Sequence, residues 1–193
     1  MGGRGFVMGG WGVTAVLALG VSGCVDAGTA HETGAAAELR FEGSASTLDD
    51  LGDGVLEGLV GGDEGSLQGW RLTEREHNEV VWPELPASAP ELNFPLDYAW
   101  QNIESRNRRG LTRILPLYAD RDLAFRRVEC RGGTERFGTF EVLTDCWVVF
   151  EHRDQRRVYE AQIFKDILAR GGGYKIFRYY DEEPRPYSGS SSG

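Results

Sequence analysis

The stretch Phe140-Glu141-Val142-Leu143-Thr144-Asp145-Cys146-Trp147-Val148-Val149-Phe150 decides the fold. Its even positions are Phe140, Val142, Thr144, Cys146, Val148 and Phe150, and its odd positions include Glu141 and Asp145. A period of two puts one apolar face on a core and a mixed face outward, the pattern of a half-buried β-strand. Upstream, Leu123 to Arg131 reads as a first strand, followed by turn signals at Gly132-Gly133 and Phe137-Gly138. Antiparallel pairing that sets Cys130 opposite Cys146 also sets Val128 opposite Val148, which is sensible core chemistry. A disulfide closing that loop contributes about 3 kcal/mol on a chain-entropy model. Downstream, His152 to Gln155 makes a turn, and Arg157 to Leu168 reads as a third strand. Glu160 to Arg170 followed by Gly171 also has the form of a helix with a glycine C-cap. Val158, Tyr159, Ile163, Phe164 and Ile167 favour the strand. Gly171-Gly172-Gly173 then turns the chain into a fourth strand, Tyr174 to Tyr180.

Helices precede these strands. Leu48, Leu51, Val55, Leu56 and Leu59 share one helical face, with Ser46 or Thr47 as cap and Gly61-Gly62 as the end. Gly52, Gly54 and Gly58 weaken this helix by up to about 1 kcal/mol each relative to Ala. Thr73-Glu74-Arg75-Glu76 has the form of a capping box and opens a short helix that stops near Trp82 before Pro83. His77 sits there among Glu74, Glu76 and Glu79, with no second His four residues away, so it reads as exposed surface and not as a metal ligand. Pro86, Pro90 and Pro95 mark a connection. A long helix then runs from Pro95 to about Leu115, closed by Pro116. Its core stripe is Trp100, Ile103, Asn107, Leu111, Ile114 and Tyr118. Asn107 is either a satisfied core amide or, with Trp100, the lining of a pocket. Helices followed by antiparallel strands give an α+β fold with the helices packed on a four-stranded sheet.

The 193 residues carry a formal net charge of −9. That balance, without a basic stripe, argues against nucleic-acid binding and against a polybasic membrane-surface protein. Arg106, Arg108, Arg109 and Arg113 form a local exception, read as a solvated helix face. The mixed sheet face, with Leu143, Trp147, Val149 and Phe164, is more apolar than solvent favours and is a candidate interaction face. No catalytic set and no cofactor motif emerges, and Ser occurs in no Gly-x-Ser-x-Gly elbow.

At the N-terminus, Arg4 is followed by an uncharged, largely apolar run from Phe6 to Val21. It has the form of a secretory signal and is too short and Gly-rich for a convincing membrane span. It ends in Val21-Ser22-Gly23-Cys24, which resembles the lipobox of bacterial lipoproteins. That resemblance implies diacylglycerol on the Cys24 thiol, cleavage of residues 1–23 and acylation of the new amine. The cysteine count fits: three in all, one for lipid and an even pair, Cys130 and Cys146, for a disulfide outside the cytoplasm. Residues 24–46 read as a flexible tether, 47–181 as one domain and 182–193 as a disordered tail.

The segment from Arg109 through Leu115-Pro116-Leu117-Tyr118-Ala119-Asp120 to Phe125 resembles the helix-to-strand joint of the nuclear transport factor 2-like superfamily. The glycine turn followed by Tyr174-Lys175-Ile176 is similar to that superfamily's last hairpin. The resemblance implies a curved sheet wrapped by helices into a cone with an apolar pocket; a cystatin-like sheet around a helix is the alternative. Members include enzymes, ligand binders and assembly modules, so the fold selects no function. The expectation is a lipid-anchored envelope protein that binds a partner protein or small apolar ligand without catalysis. An isomerase or hydrolase using a pocket near Trp100 and Asn107 competes with it, and a purely structural envelope role differs only in its partner. Inner or outer membrane is left open.

Overall fold

The computed structural model describes residues 40–189. Cys24, the signal segment, tether residues 24–39 and tail residues 190–193 lie outside the described residues. Four α-helices come first: α1 (Leu48–Gly61), α2 (Glu64–Gly69), α3 (Glu74–Glu76), which runs on into a π-turn over His77–Val81, and α4 (Leu96–Tyr118). Eight strands follow: β1 (Leu123–Cys130), β2 (Thr134–Arg136), β3 (Glu141–Leu143), β4 (Cys146–His152), β5 (Arg157–Ala161), β6 (Ile167–Arg170), β7 (Gly173–Ile176) and β8 (Arg185–Pro186). The α+β class stands.

The strands form two antiparallel sheets of four, ordered β1-β4-β5-β8 and β2-β3-β6-β7. The two sheets meet at a corner, because β1 leads into β2, β3 into β4 and β5 into β6 across short breaks. At the bend, backbone bonds run Arg131 N–H to Asp145 O (3.0 Å), Gly132 N–H to Thr144 O (3.1 Å) and Cys146 N–H to Lys165 O (2.8 Å). Beyond the end of β7, Tyr180 N–H still reaches Ile163 O (2.9 Å). Asp145 takes a positive φ of 54°, and a Cβ at Gly132 would lie 2.3 Å from the Thr144 hydroxyl. The alternation along 140–150 therefore survives, interrupted by a corner at Thr144-Asp145. The third strand breaks likewise between Ala161 and Ile167 and is not helical. The fourth strand ends at Ile176, short of Tyr180.

The register is the expected one. Cys130 faces Cys146 and Val128 faces Val148, with a bulge between Phe125 and Arg127. The Cys130–Cys146 disulfide is formed, at a Cα separation of 3.9 Å. β6 and β7 pair Arg170 with Gly173, leaving Gly171 and Gly172 as a two-residue turn with both φ values positive.

α1 starts as expected, with the Thr47 hydroxyl accepting from Asp50 N–H. The Thr73–Glu76 capping box is present. α4 runs through Pro116 to Tyr118, with Pro95 as its N-cap. A proline in the last turn removes one intrahelical bond, and Ala119 N–H still reaches Leu115 O at 2.9 Å. The main core joins α1 and α4 to the sheets through Leu51, Val55, Leu59, Ile114, Tyr118, Val148, Phe150, Ile163, Phe164 and Tyr179. A second core holds Phe41, Leu72, Val81, Phe140, Val142 and Leu168.

Three expectations are corrected. The folded unit begins before Thr47: Phe41 and Ala45 are buried, and Ala45 bridges to Tyr174 on the outer edge of β7. Arg71 bridges the same edge at Ile176, so apolar burial of Phe41 recruits part of the expected tether into the fold. The expected tail is ordered through β8, which pairs with β5. His77 is not exposed: it is buried, 5.9 Å from the Trp82 ring and 5.3 Å from the Trp100 ring. Burial holds its imidazole below the ordinary histidine value, against the hydrogen bond with Asn78.

Candidate functional site

A cleft of about 350 Å³ opens where the C-terminal end of α4, the outer ends of β4 and β5, and the chain after Tyr180 meet. Its apolar walls are Leu117, Leu123, Phe150, Tyr159 and Pro184. Its polar lining is Tyr118, Arg121, His152, Gln155 and Glu183. Phe150 and His152 are two apart on β4, so both point to the same side of the sheet. Tyr159 is the cross-strand partner of Phe150, and their rings stack at 6.4 Å. His152 meets Tyr159 edge-on at 6.0 Å, and Tyr118 meets Phe150 edge-on at 5.8 Å. The Tyr159 hydroxyl donates to Gln155 Oε1 at 2.7 Å, so it is satisfied within the protein.

Two other polar atoms are not satisfied. The Tyr118 hydroxyl and His152 Nδ1 are both buried without a hydrogen-bond partner. An unpaired buried polar group costs about 1–3 kcal/mol, so native chains leave few of them. Burial also pushes the Tyr118 phenol well above its ordinary pKa, which keeps it protonated and able to donate. The imidazole accepts or donates according to its tautomer. The cleft is thus a part-apolar slot whose wall holds a phenol and an imidazole, each with one polar atom that no protein group satisfies.

The third wall is a strap from Asp181 to Tyr187. It is held by Arg113–Asp181 and Lys165–Glu182 (2.5 Å) at its start. At its far end Arg185 binds Glu160 (2.9 Å) and lies over the Trp147 ring (3.9 Å). The Tyr187 hydroxyl donates to Glu129 Oε1 at 2.9 Å. Glu160 is fully buried and also takes Arg131 at 2.5 Å; that guanidinium, assisted by Arg185, holds its carboxyl below the usual range.

The residues singled out from the sequence fall elsewhere. Asn107 is buried, and its Oδ1 accepts the Tyr179 backbone N–H at 3.1 Å. It is a satisfied core amide; neither it nor Trp100 lines any of the described cavities, and Trp100 packs half-buried against His77. The proposed interaction face is covered. Val149 and Phe164 are fully buried, Leu143 packs against the main core, and Trp147 lies beneath Arg131 and Arg185. The Trp147 indole also donates to Asp145 at 2.9 Å. Cys130 and Cys146 carry the disulfide and no further role.

The cleft is lined instead by Tyr118, His152 and Tyr159. A signal existed for His152, since it continues the even-numbered core face of β4, but the adjacent charged turn masked it. Among the described residues no group of three or more His, Cys, Asp or Glu is placed to hold a metal ion. No described helix is long and apolar enough to cross a membrane. Comparison with known proteins gives no match to a family model, a curated protein or a solved structure.

Proposed function

We propose that this chain is a lipid-anchored protein of the bacterial cell envelope whose domain binds a small, largely apolar ligand in the Tyr118–His152 cleft. The observation that carries the ligand reading is the pair of unpartnered buried atoms, Tyr118 Oη and His152 Nδ1, in a slot otherwise walled by Phe150, Tyr159 and Leu123. A ligand with an apolar body and a hydroxyl or carboxyl oxygen suits this lining, and it reaches either atom only as neighbouring side chains give way, because both atoms are closed to solvent. The lipobox-like Val21-Ser22-Gly23-Cys24 supports the anchor, and a disulfide supports an oxidising compartment. The anchor is tested by intact mass and membrane fractionation of the native protein beside Cys24→Ser. Added lipid mass starting at Cys24 supports it; an unmodified soluble chain overturns it.

The cleft is tested by screening small apolar alcohols and acids by NMR against the native protein and Tyr118→Phe. Losing the hydroxyl should weaken binding about tenfold, one hydrogen bond's worth, while leaving the free protein at least as stable. Binding that ignores the substitution overturns the assignment. An isomerase or hydrolase remains the competing reading, because an imidazole and a phenol share the cleft. The carboxyl that burial pushes upward, Asp166, does not line it, which favours binding over general acid–base work. Turnover of any bound compound that His152→Gln abolishes would reverse that preference.

A further inference from the structure

At the opposite end of α4 from the cleft, the proline-rich connection carries an exposed aromatic ridge. Leu92 is 59%, Phe94 41% and Tyr98 57% exposed, among the most exposed large apolar side chains described. The rings form a ladder: Phe94 lies 5.4 Å from Tyr98 and 5.9 Å from Trp82, and Trp82 lies 5.9 Å from buried His77. Consecutive one-turn 3₁₀ segments at Trp82–Glu84, Pro86–Ser88 and Pro90–Leu92 present it. A proline heads or follows the head of each, which stiffens the connection.

The first described residues dock beside this ridge. Phe41 packs in one cluster with Val80, Val81 and Leu85, which flank Trp82. Glu42 is tied to α3, its N–H donating to Glu76 Oε1 at 2.9 Å. The chain therefore enters the fold next to the ridge, about 16 residues after Cys24. A segment of that length reaches at most about 55 Å, and α4 alone spans roughly 34 Å. An anchor at Cys24 therefore holds the whole domain within reach of the bilayer, and the chain joins it on the ridge side, by Phe41 and Glu42.

We propose that Leu92, Phe94, Tyr98 and Trp82 form a shallow membrane-contact surface that seats the domain on the lipid interface. This rests on the anchor reading above. Aromatic rings with a polar edge favour the headgroup level, and the ridge has no basic residue to recruit anionic lipid. Glu84, Glu91 and Asp97 flank it instead, so the surface it fits is zwitterionic.

The test uses the chain from Cys24 onward, with Cys24→Ser and a hexahistidine tag in place of the lipid. It is bound to phosphatidylcholine vesicles containing nickel-chelating lipid, with brominated phosphatidylcholine as the quencher. Trp82 emission, taken as the difference from Trp82→Phe, should be quenched. Leu92→Ser with Phe94→Ser should remove most of that quenching, and added anionic lipid should reduce it. Absence of Trp82 quenching overturns the proposal, as does quenching that the double substitution leaves unchanged. A dimer in sedimentation that the double substitution dissociates also overturns it, in favour of a second copy on the ridge. The tag makes the readout independent of native lipidation, so quenching without lipid mass on native Cys24 removes the anchor and leaves the surface standing.

Discussion

Glu160 is the side chain on which the strap depends. It is fully buried between Arg131 and Arg185, which are themselves partly exposed. Glu160→Gln keeps the volume and removes the charge, so two guanidinium groups lose their counter-ion. The expected loss is about 2–3 kcal/mol, at the low end for a broken buried pair because both arginines retain solvent. Chemical denaturation reads it directly. The same carboxyl sets an acid limit. Arg131 and Arg185 hold Glu160 below its ordinary 4.5. Glu76 is also held below that value: burial opposes ionisation, but the Thr73 N–H and the Lys175 ammonium outweigh it. A carboxyl depressed in the folded state adds stability above its unfolded pKa and loses it as pH falls through the folded value. Stability should therefore hold down to about pH 5 and fall below it, and Glu160→Gln should flatten that fall in a urea midpoint series. Asn107→Ala makes a separate prediction. It strands the buried Tyr179 N–H and should cost about 1–3 kcal/mol without changing ligand binding at the distant cleft.

The glycines of α1 reverse their propensity at the scale of the helix. A Cβ on Gly52 would stand 2.4 Å from Val128 Cγ2 and 2.7 Å from the Phe125 ring, because α1 lies directly on β1. Gly52→Ala gains about 1 kcal/mol of propensity but overpacks the contact by about 1–3 kcal/mol, so thermal stability should fall. Gly61, in the same helix, has nothing within 4 Å, and Gly61→Ala should raise stability by up to about 1 kcal/mol. These glycines read as defects in the sequence because a propensity scale carries no term for a partner element. The β1–β4 register was legible, since alternation in both strands and the two cysteines agreed on one alignment. The corner at Asp145 was not, because a left-handed residue turns the strand while keeping its parity. His77 departs from its expected exposure for a related reason. Its acidic neighbours suggest solvent, yet Glu76 is buried against Lys175 at 2.9 Å and carries the turn inward. The cleft was least legible of all: helix end, two strand ends and strap meet there, and no single period encodes their meeting.

At the scale of the described domain, a disulfide and the strap both fasten the sheet from outside. Cys130 and Cys146 are 16 residues apart, and reduction should cost about 3 kcal/mol, a fall in Tm of about 10 °C. Calorimetry with and without reductant checks this. A chain ending at Asp181 loses Pro184, Arg185 and Tyr187, so Trp147 should become quenchable by iodide and affinity in the cleft should drop. The edges of the sheets have a different importance. β1 is broken by its bulge, β2 is three residues long, and β8 is a proline-bearing pair. Only β7 has a regular outer edge, and it is occupied: Ala45 and Tyr174 exchange both backbone bonds at 3.0 and 3.1 Å, and Leu72 N–H reaches Ile176 O at 2.9 Å. The few residues before α1 thus act as a plug against strand addition from another chain. A protein trimmed to begin at Thr47 keeps every helix and strand and the Leu72 cover on Ile176, but it bares Tyr174 and the surface under Phe41, and by light scattering it should associate more readily than the chain beginning at Arg40.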